Sequence, residues 1–115
     1  MNQTVQNPQA KEIAQTILTQ LGGGRAVAMI GMYGMGFGTD ENGNAYLSFS
    51  FKAGRRANYC KITLNAMDTY DMVIEKVSIR GGEQKRKEVA NDNGVYCDQL
   101  QDLFEKATGL YLRLF

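Results

Sequence analysis

The chain has 115 residues, of which 43% are hydrophobic and 22% charged, with a formal net charge of +1 and a single proline. This bounds it to one ordered domain with one core, too short for two. Histidine is absent, which excludes Ser-His and Cys-His nucleophile pairs, histidine-ligated metals and imidazole acid–base chemistry near neutral pH.

The two cysteines, Cys60 and Cys97, have no CxxC spacing. Neither a disulfide framework nor a zinc site is expected, and both read as packing thiols in a reducing compartment. No apolar run approaches the ~20 residues of a membrane span. The opening MNQTVQNPQAKEIAQ lacks the basic start and apolar centre of a secretory signal. No membrane partner and no cofactor is expected.

In chain order, residues 1–7 are expected to be disordered and 8–21 to form a helix. Asn7 reads as its N-cap and Pro8 as its first position, where the missing N–H costs nothing. Ala10, Ile13, Ala14, Ile17, Leu18 and Leu21 recur at helical spacing, and Gly22 is placed to end the helix in the left-handed conformation. An antiparallel sheet is predicted over 26–90, with its first strand from Ala26 to Tyr33. The glycines Gly31, Gly34, Gly36 and Gly38 do not match a phosphate loop, since there is neither GxxxxGK[ST] nor GxGxxG, and a strand follows where a helix would be needed. They suit a twisted, bulged hairpin instead. Asn42-Gly43 is a hairpin-turn pair, and Ala45 to Lys52 alternates, with Leu47, Phe49 and Phe51 inward and Tyr46, Ser48 and Ser50 outward. Met32, Met35 and Phe37 are an apolar group at the hairpin end: either a protein-contact surface or a tip folded back on the core.

Tyr59 to Ile79 is the longest strand-forming run. Cys60, Ile62 and Leu64 form one face of its first strand and Tyr59, Lys61, Thr63 and Asn65 the other. A turn over Asn65–Thr69 follows, and a second strand carries the apolar row Val73, Val77 and Ile79 and another beginning at Met72 and Ile74. A basic loop, Lys52–Asn58, leads into this hairpin, a second basic turn, Arg80–Lys87, follows it, and a short strand through Val89 comes next. Residues 52–87 hold nine Lys/Arg against four Asp/Glu, whereas 88–115 hold two against five. The basic end is therefore suited to phosphates or an acidic partner.

The last helix is predicted over 95–108, with Tyr96, Leu100, Leu103, Phe104 and Ala107 on one face, Asp102 and Glu105 in solvent, and Gly109 closing it. The apolar tail 110–115 is expected to add a strand at a sheet edge or to pack on another subunit. Asp68, Tyr70 and Asp71 could surround a metal only with help from Asp40, Glu75 or Asp92, because hard cations take several oxygen ligands. Stabilisation of the turn explains the same residues. No catalytic or metal-binding residue is assigned.

Three segments, LTQLGGGRAVAMIG, ANYCKITLNAMDTYDM and GVYCDQLQDLFEKATGLY, together resemble a group of small proteins encoded by bacteriophages and related mobile elements. Ala66 stands where that pattern has glycine, and the hairpin from Gly31 to Gly38 departs from it. The resemblance implies a phage or prophage origin, in the cytoplasm of a bacterial host or in a virion, and brings no catalytic residues.

The fold expected is α+β: an N-terminal helix, an antiparallel four- to five-stranded sheet of consecutive hairpins, and a C-terminal helix on the same face. The function expected is non-enzymatic binding, with the protein a homodimer. In one form it binds nucleic acid across the solvent face of the sheet, with Arg55, Arg56, Lys61, Lys85, Arg86 and Lys87 at phosphates and Tyr46 or Tyr59 stacked on bases. The alternative is an inhibitor or virion component that contacts a host or phage protein through Met32, Met35 and Phe37 or through the acidic last helix.

Overall fold

The computed structural model describes residues 8–52 and 54–112. The Asn7 cap, the expected disorder of residues 1–7 and the last three residues of the tail lie outside these. The order of elements is α1 (Ala10–Leu21), α2 (Gly23–Ile30), β1 (Met32–Thr39), β2 (Ala45–Phe51), β3 (Tyr59–Leu64), β4 (Tyr70–Arg80), β5 (Glu83–Val95), a 3₁₀ turn (Cys97–Gln99) and α3 (Leu100–Thr108). The five strands form one antiparallel sheet in sequence order. The helices pack on one of its faces, α1 against β1, β2, α2 and α3. The fold is α+β, with the consecutive hairpins expected.

The core lies between helices and sheet. From the strands come Leu47, Phe49, Phe51, Cys60, Ile62, Tyr70, Met72 and Ile74, and from the helices Ala14, Ile17, Leu21, Ala26, Ile30, Leu100 and Phe104. Phe49, Phe51 and Phe104 pack ring against ring at centroid distances of 5.3 to 6.1 Å. The strict alternation of β2 is therefore real. In β4 the buried row is Tyr70, Met72 and Ile74; Val73 and Val77 are half-buried on the opposite face, and Ile79 is exposed.

Residues 26–30, expected as strand, are the second half of α2. Its buried residues, Ala26 and Ile30, are four apart, which is a helical interval. Gly31, at φ 65°, ends the helix with its N–H on the Val27 carbonyl, so the strand begins only at Met32. A short apolar run does not distinguish the two readings.

The basic turn expected over Arg80–Lys87 is confined in β4–β5 to two residues: Gly81 and Gly82, at φ 58° and 81°, make a turn of the kind that suits strand twist. Glu83–Lys87 returns as a strand paired to β4, and the sheet reaches Val95. The outer halves of β4 and β5 thus form an arm, exposed from Ile79 to Glu88. Its charged residues show no apolar alternation because little packs on them.

Turns β1–β2 and β3–β4 share one design. Asp40 Oδ1 accepts the N–H groups of Asn42 and Asn44, and Asn65 Oδ1 accepts those of Met67 and Thr69. In each, the fourth residue has positive φ: Gly43 at 81° and Asp68 at 62°. Side-chain acceptors of this type close turns locally.

The C-terminal region also departs from expectation. Tyr96 is exposed and precedes the 3₁₀ turn rather than joining the helix face, and Cys97 is exposed rather than packed. Glu105, expected in solvent, accepts the Leu112 N–H at 2.8 Å. Leu112 is fully buried, so the tail as far as this residue folds onto its own core and forms no strand.

Candidate nucleic-acid interface

Between Glu75 and Arg80 the pairing of β4 with β5 is regular, and this divides the predicted phosphate-binding residues between two faces. Counting outward from Gly81-Gly82, Arg80 pairs Glu83, Ser78 pairs Lys85 and Lys76 pairs Lys87. These continue the row of Ile74 and so share the helix side of the sheet. Val77 pairs Arg86, on the solvent side with Tyr59 and Lys61.

On the helix side, Arg55, Arg56, Lys76 and Lys87 line a cleft of about 500 Å³ together with Glu88 and Val89. Lys85 lies one same-face pair further toward the tip of the arm. Among the described residues none of these cations is ion-paired. Lys76 and Lys87 are directly opposed, an arrangement in which the Cα atoms are about 5 Å apart and like charges destabilise. Glu88 accepts a hydrogen bond from Asn91 at 3.1 Å.

The loop that presents Arg55 and Arg56 is built tightly. A Cβ on Gly54 would overlap the Ala57 carbonyl oxygen and lie 2.9 Å from the Phe51 ring, so only glycine fits there. Ala57 is fully buried, anchoring the loop. The Arg56 guanidinium lies beside Gly109, at the C-terminal end of α3, where the helix dipole favours a cation. Asn58 then locks the loop to the arm: its Nδ2 donates to the Val77 carbonyl at 2.8 Å and its Oδ1 accepts the Val77 N–H at 2.7 Å.

The solvent face is different in character. Arg86 is neutralised by Glu75 at 2.6 Å and sits over the Tyr59 ring, 5.0 Å from its centroid. Lys61 lies 4.4 Å over Tyr46 and Lys52 lies 5.3 Å over Tyr33. Tyr46 is occupied on two sides, because its hydroxyl end also covers Gly38. Near Tyr33 and Tyr59 the face opens into a groove of about 440 Å³, lined also by Ser50, Asn58, Val77, Ile79, Gln84 and Arg86 and reaching Ser78 on the arm.

Compared with known proteins, the chain matches no family model, no curated protein and no solved structure.

Met32 is buried and belongs to the core, which removes it from the protein-contact group, whereas Met35 and Phe37 are about half exposed on the edge strand β1. Asp71 Oδ1 accepts hydrogen bonds from Asn65 Nδ2 and the Gly94 N–H, and the Tyr70 hydroxyl donates to Gln20 Oε1 at 2.8 Å. These groups brace the β3–β4 turn. No three acidic or thiol side chains converge among the described residues, and no helix there is long and apolar enough to cross a membrane.

Lys76 is not among the residues that sequence pattern points to. Its signal was present in the glycine pair: a two-residue turn at Gly81-Gly82 fixes Lys76 opposite Lys87.

Proposed function

We propose that this is a non-enzymatic accessory protein of a phage or mobile element that binds nucleic acid through the helix-side cleft. The observation that carries the reading is the convergence of Arg55, Arg56, Lys76 and Lys87 on one concave surface, without ion pairs among the described residues. Opposed lysines cost stability in the free protein, and a phosphate backbone lying between them reverses that cost. The solvent face, where Arg86 is neutralised, contributes less charge than its residue types imply.

The test is fluorescence anisotropy with labelled single- and double-stranded DNA and RNA over a range of salt. Four phosphate contacts give a log–log salt slope of about −3 for a single strand. Lys76→Glu with Lys87→Glu removes most of that slope, whereas Lys61→Glu changes it by no more than about one contact. Absence of binding at low salt sinks the reading.

A second reading is favoured by the contrast between the sheet edges. β5 carries six charged residues, whereas β1, MYGMGFGT, carries none and exposes Tyr33, Met35 and Phe37. Charge on an edge strand discourages pairing with another chain, and its lack permits it. Pairing of β1 with β1 of a second copy is the homodimer this geometry favours. Sedimentation of Met35→Lys against the native chain decides it: a dimer converted to monomer supports the reading, and a native monomer at high concentration rejects it.

A further inference from the structure

The tyrosines of the solvent face differ in what lies beside them. Tyr33, Ser50 and Tyr59 are consecutive partners across β1, β2 and β3. Neighbouring strands are about 4.8 Å apart, so the two tyrosine Cα atoms stand roughly 10 Å apart, with only a hydroxymethyl group between them. Side chains in strands rise from the sheet and lean along it. A planar ring at van der Waals distance of about 3.5–4.0 Å from each tyrosine needs a ring-to-ring gap of ~7–8 Å. The next row along the same face, Gly36, Ser48 and Lys61, has no such walls, and in the row beyond it Tyr46 stands between Gly38 and Thr63, with no second ring across from it.

We propose that Tyr33 and Tyr59 form the walls, and Ser50 the floor, of a slot that takes one nucleobase of a single strand. The slot lies in the 440 Å³ groove at the arm end of the sheet, a size typical of small-molecule sites. Lys52 over Tyr33 and Arg86 over Tyr59 place positive charge beside both walls. Among the described residues Lys52 has no ion-pair partner, so its ammonium can turn from the Tyr33 ring to a neighbouring phosphate. The Asn58 amide is committed to Val77, which leaves Ser50 and Gln84 to hydrogen-bond the base edge. A hydroxyl serves as donor or acceptor, so the slot accepts any base. This rests on nucleic-acid binding as proposed above, and it adds that the bound form is single-stranded, because a paired base is not available to be sandwiched.

The experiment compares three labelled probes: a twelve-residue oligothymidylate, an abasic phosphodiester chain of the same length, and a twelve-base-pair duplex. The native protein binds oligothymidylate more tightly than the abasic chain. Tyr33→Ala and Tyr59→Ala each lower oligothymidylate affinity about 5- to 150-fold and leave the abasic chain unaffected. Ser50→Phe, which fills the slot while keeping both walls, has the same effect, and circular dichroism confirms that each variant is folded. Lys76→Glu with Lys87→Glu lowers both probes together. Equal affinity of the native protein for the two chains, or indifference of oligothymidylate to all three slot variants, overturns the slot while the cleft reading stands. If no polymer binds, the cleft reading fails and the slot is judged by NMR with adenosine monophosphate. Shifts at the Ser50 and Tyr59 amides that vanish in Ser50→Phe support it, and unshifted amides overturn it.

Discussion

Lys76 and Lys87 stand directly opposite one another on β4 and β5, on the face that continues the buried row of Met72 and Ile74. Repulsion between them gives the first prediction. Lys87→Glu converts a like pair into an opposite one and stabilises the protein by about 0.5 kcal/mol in low salt, as read by urea denaturation, while it weakens polyanion binding. A variant that is both less stable and weaker in binding contradicts a functional reason for the pair.

The common design of the two Asx turns gives the second. Asp68 holds the left-handed conformation that Gly43 holds in the other turn, and no Cβ contact restricts Gly43. Backbone strain alone therefore separates them. Asp68→Gly is expected to raise stability by about 0.5 kcal/mol, and Gly43→Ala to lower it by about 1 kcal/mol. Thermal melts of the two variants should move in opposite directions.

Asn58 satisfies both backbone groups of Val77 through one side chain. Asn58→Ala leaves these part-buried groups without their partner, a loss of about 2 kcal/mol. Hydrogen exchange at the Val77 amide should accelerate more than exchange at Ile62, because the arm loosens before the central sheet does.

Alkaline pH gives the fourth prediction. Burial pushes the Cys60 thiol well above its ordinary value, and burial, followed by the negative charge of Cys97 and Asp68, raises Tyr70. In both cases the folded state holds its proton more tightly than the unfolded chain. Their contribution is complete below the unfolded values, about 8.5 for a thiol and about 10 for a phenol, and is lost as pH rises beyond them. Melting temperature should fall from about pH 8.5 upward, and Cys60→Ala should flatten the early part of that fall. A profile of Cys60→Ala parallel to the native one assigns the fall to other groups.

Local pattern in the sequence was sufficient where one face of an element is buried and the other wet. The alternation of Leu47, Phe49 and Phe51, that of Cys60 and Ile62, and the helical stripe from Ala10 to Leu21 specified α1, β2 and β3 and made an α+β fold legible. Gly109 marked the end of the last helix for a similarly local reason, since its left-handed conformation suits a residue without a Cβ. The same logic failed at Ala26–Ile30, where a short apolar run suits either periodicity, and at Glu83–Lys87, where a strand without a buried face leaves no pattern.

The candidate site depended on relations that no single segment contains. Residue types marked a basic region, but the face on which each charge sits follows from pairing register, and a one-residue step changes the face. That step sends Arg86 to Glu75 and Tyr59, while Lys85 and Lys87 go to the side of the cleft. Local pattern therefore marked the half-buried elements α1, β2 and β3 and the charge that each segment carries. Tertiary structure decided which charges meet, because opposition across strands and the closure of a loop over Ala57 are set by packing between segments far apart in the chain.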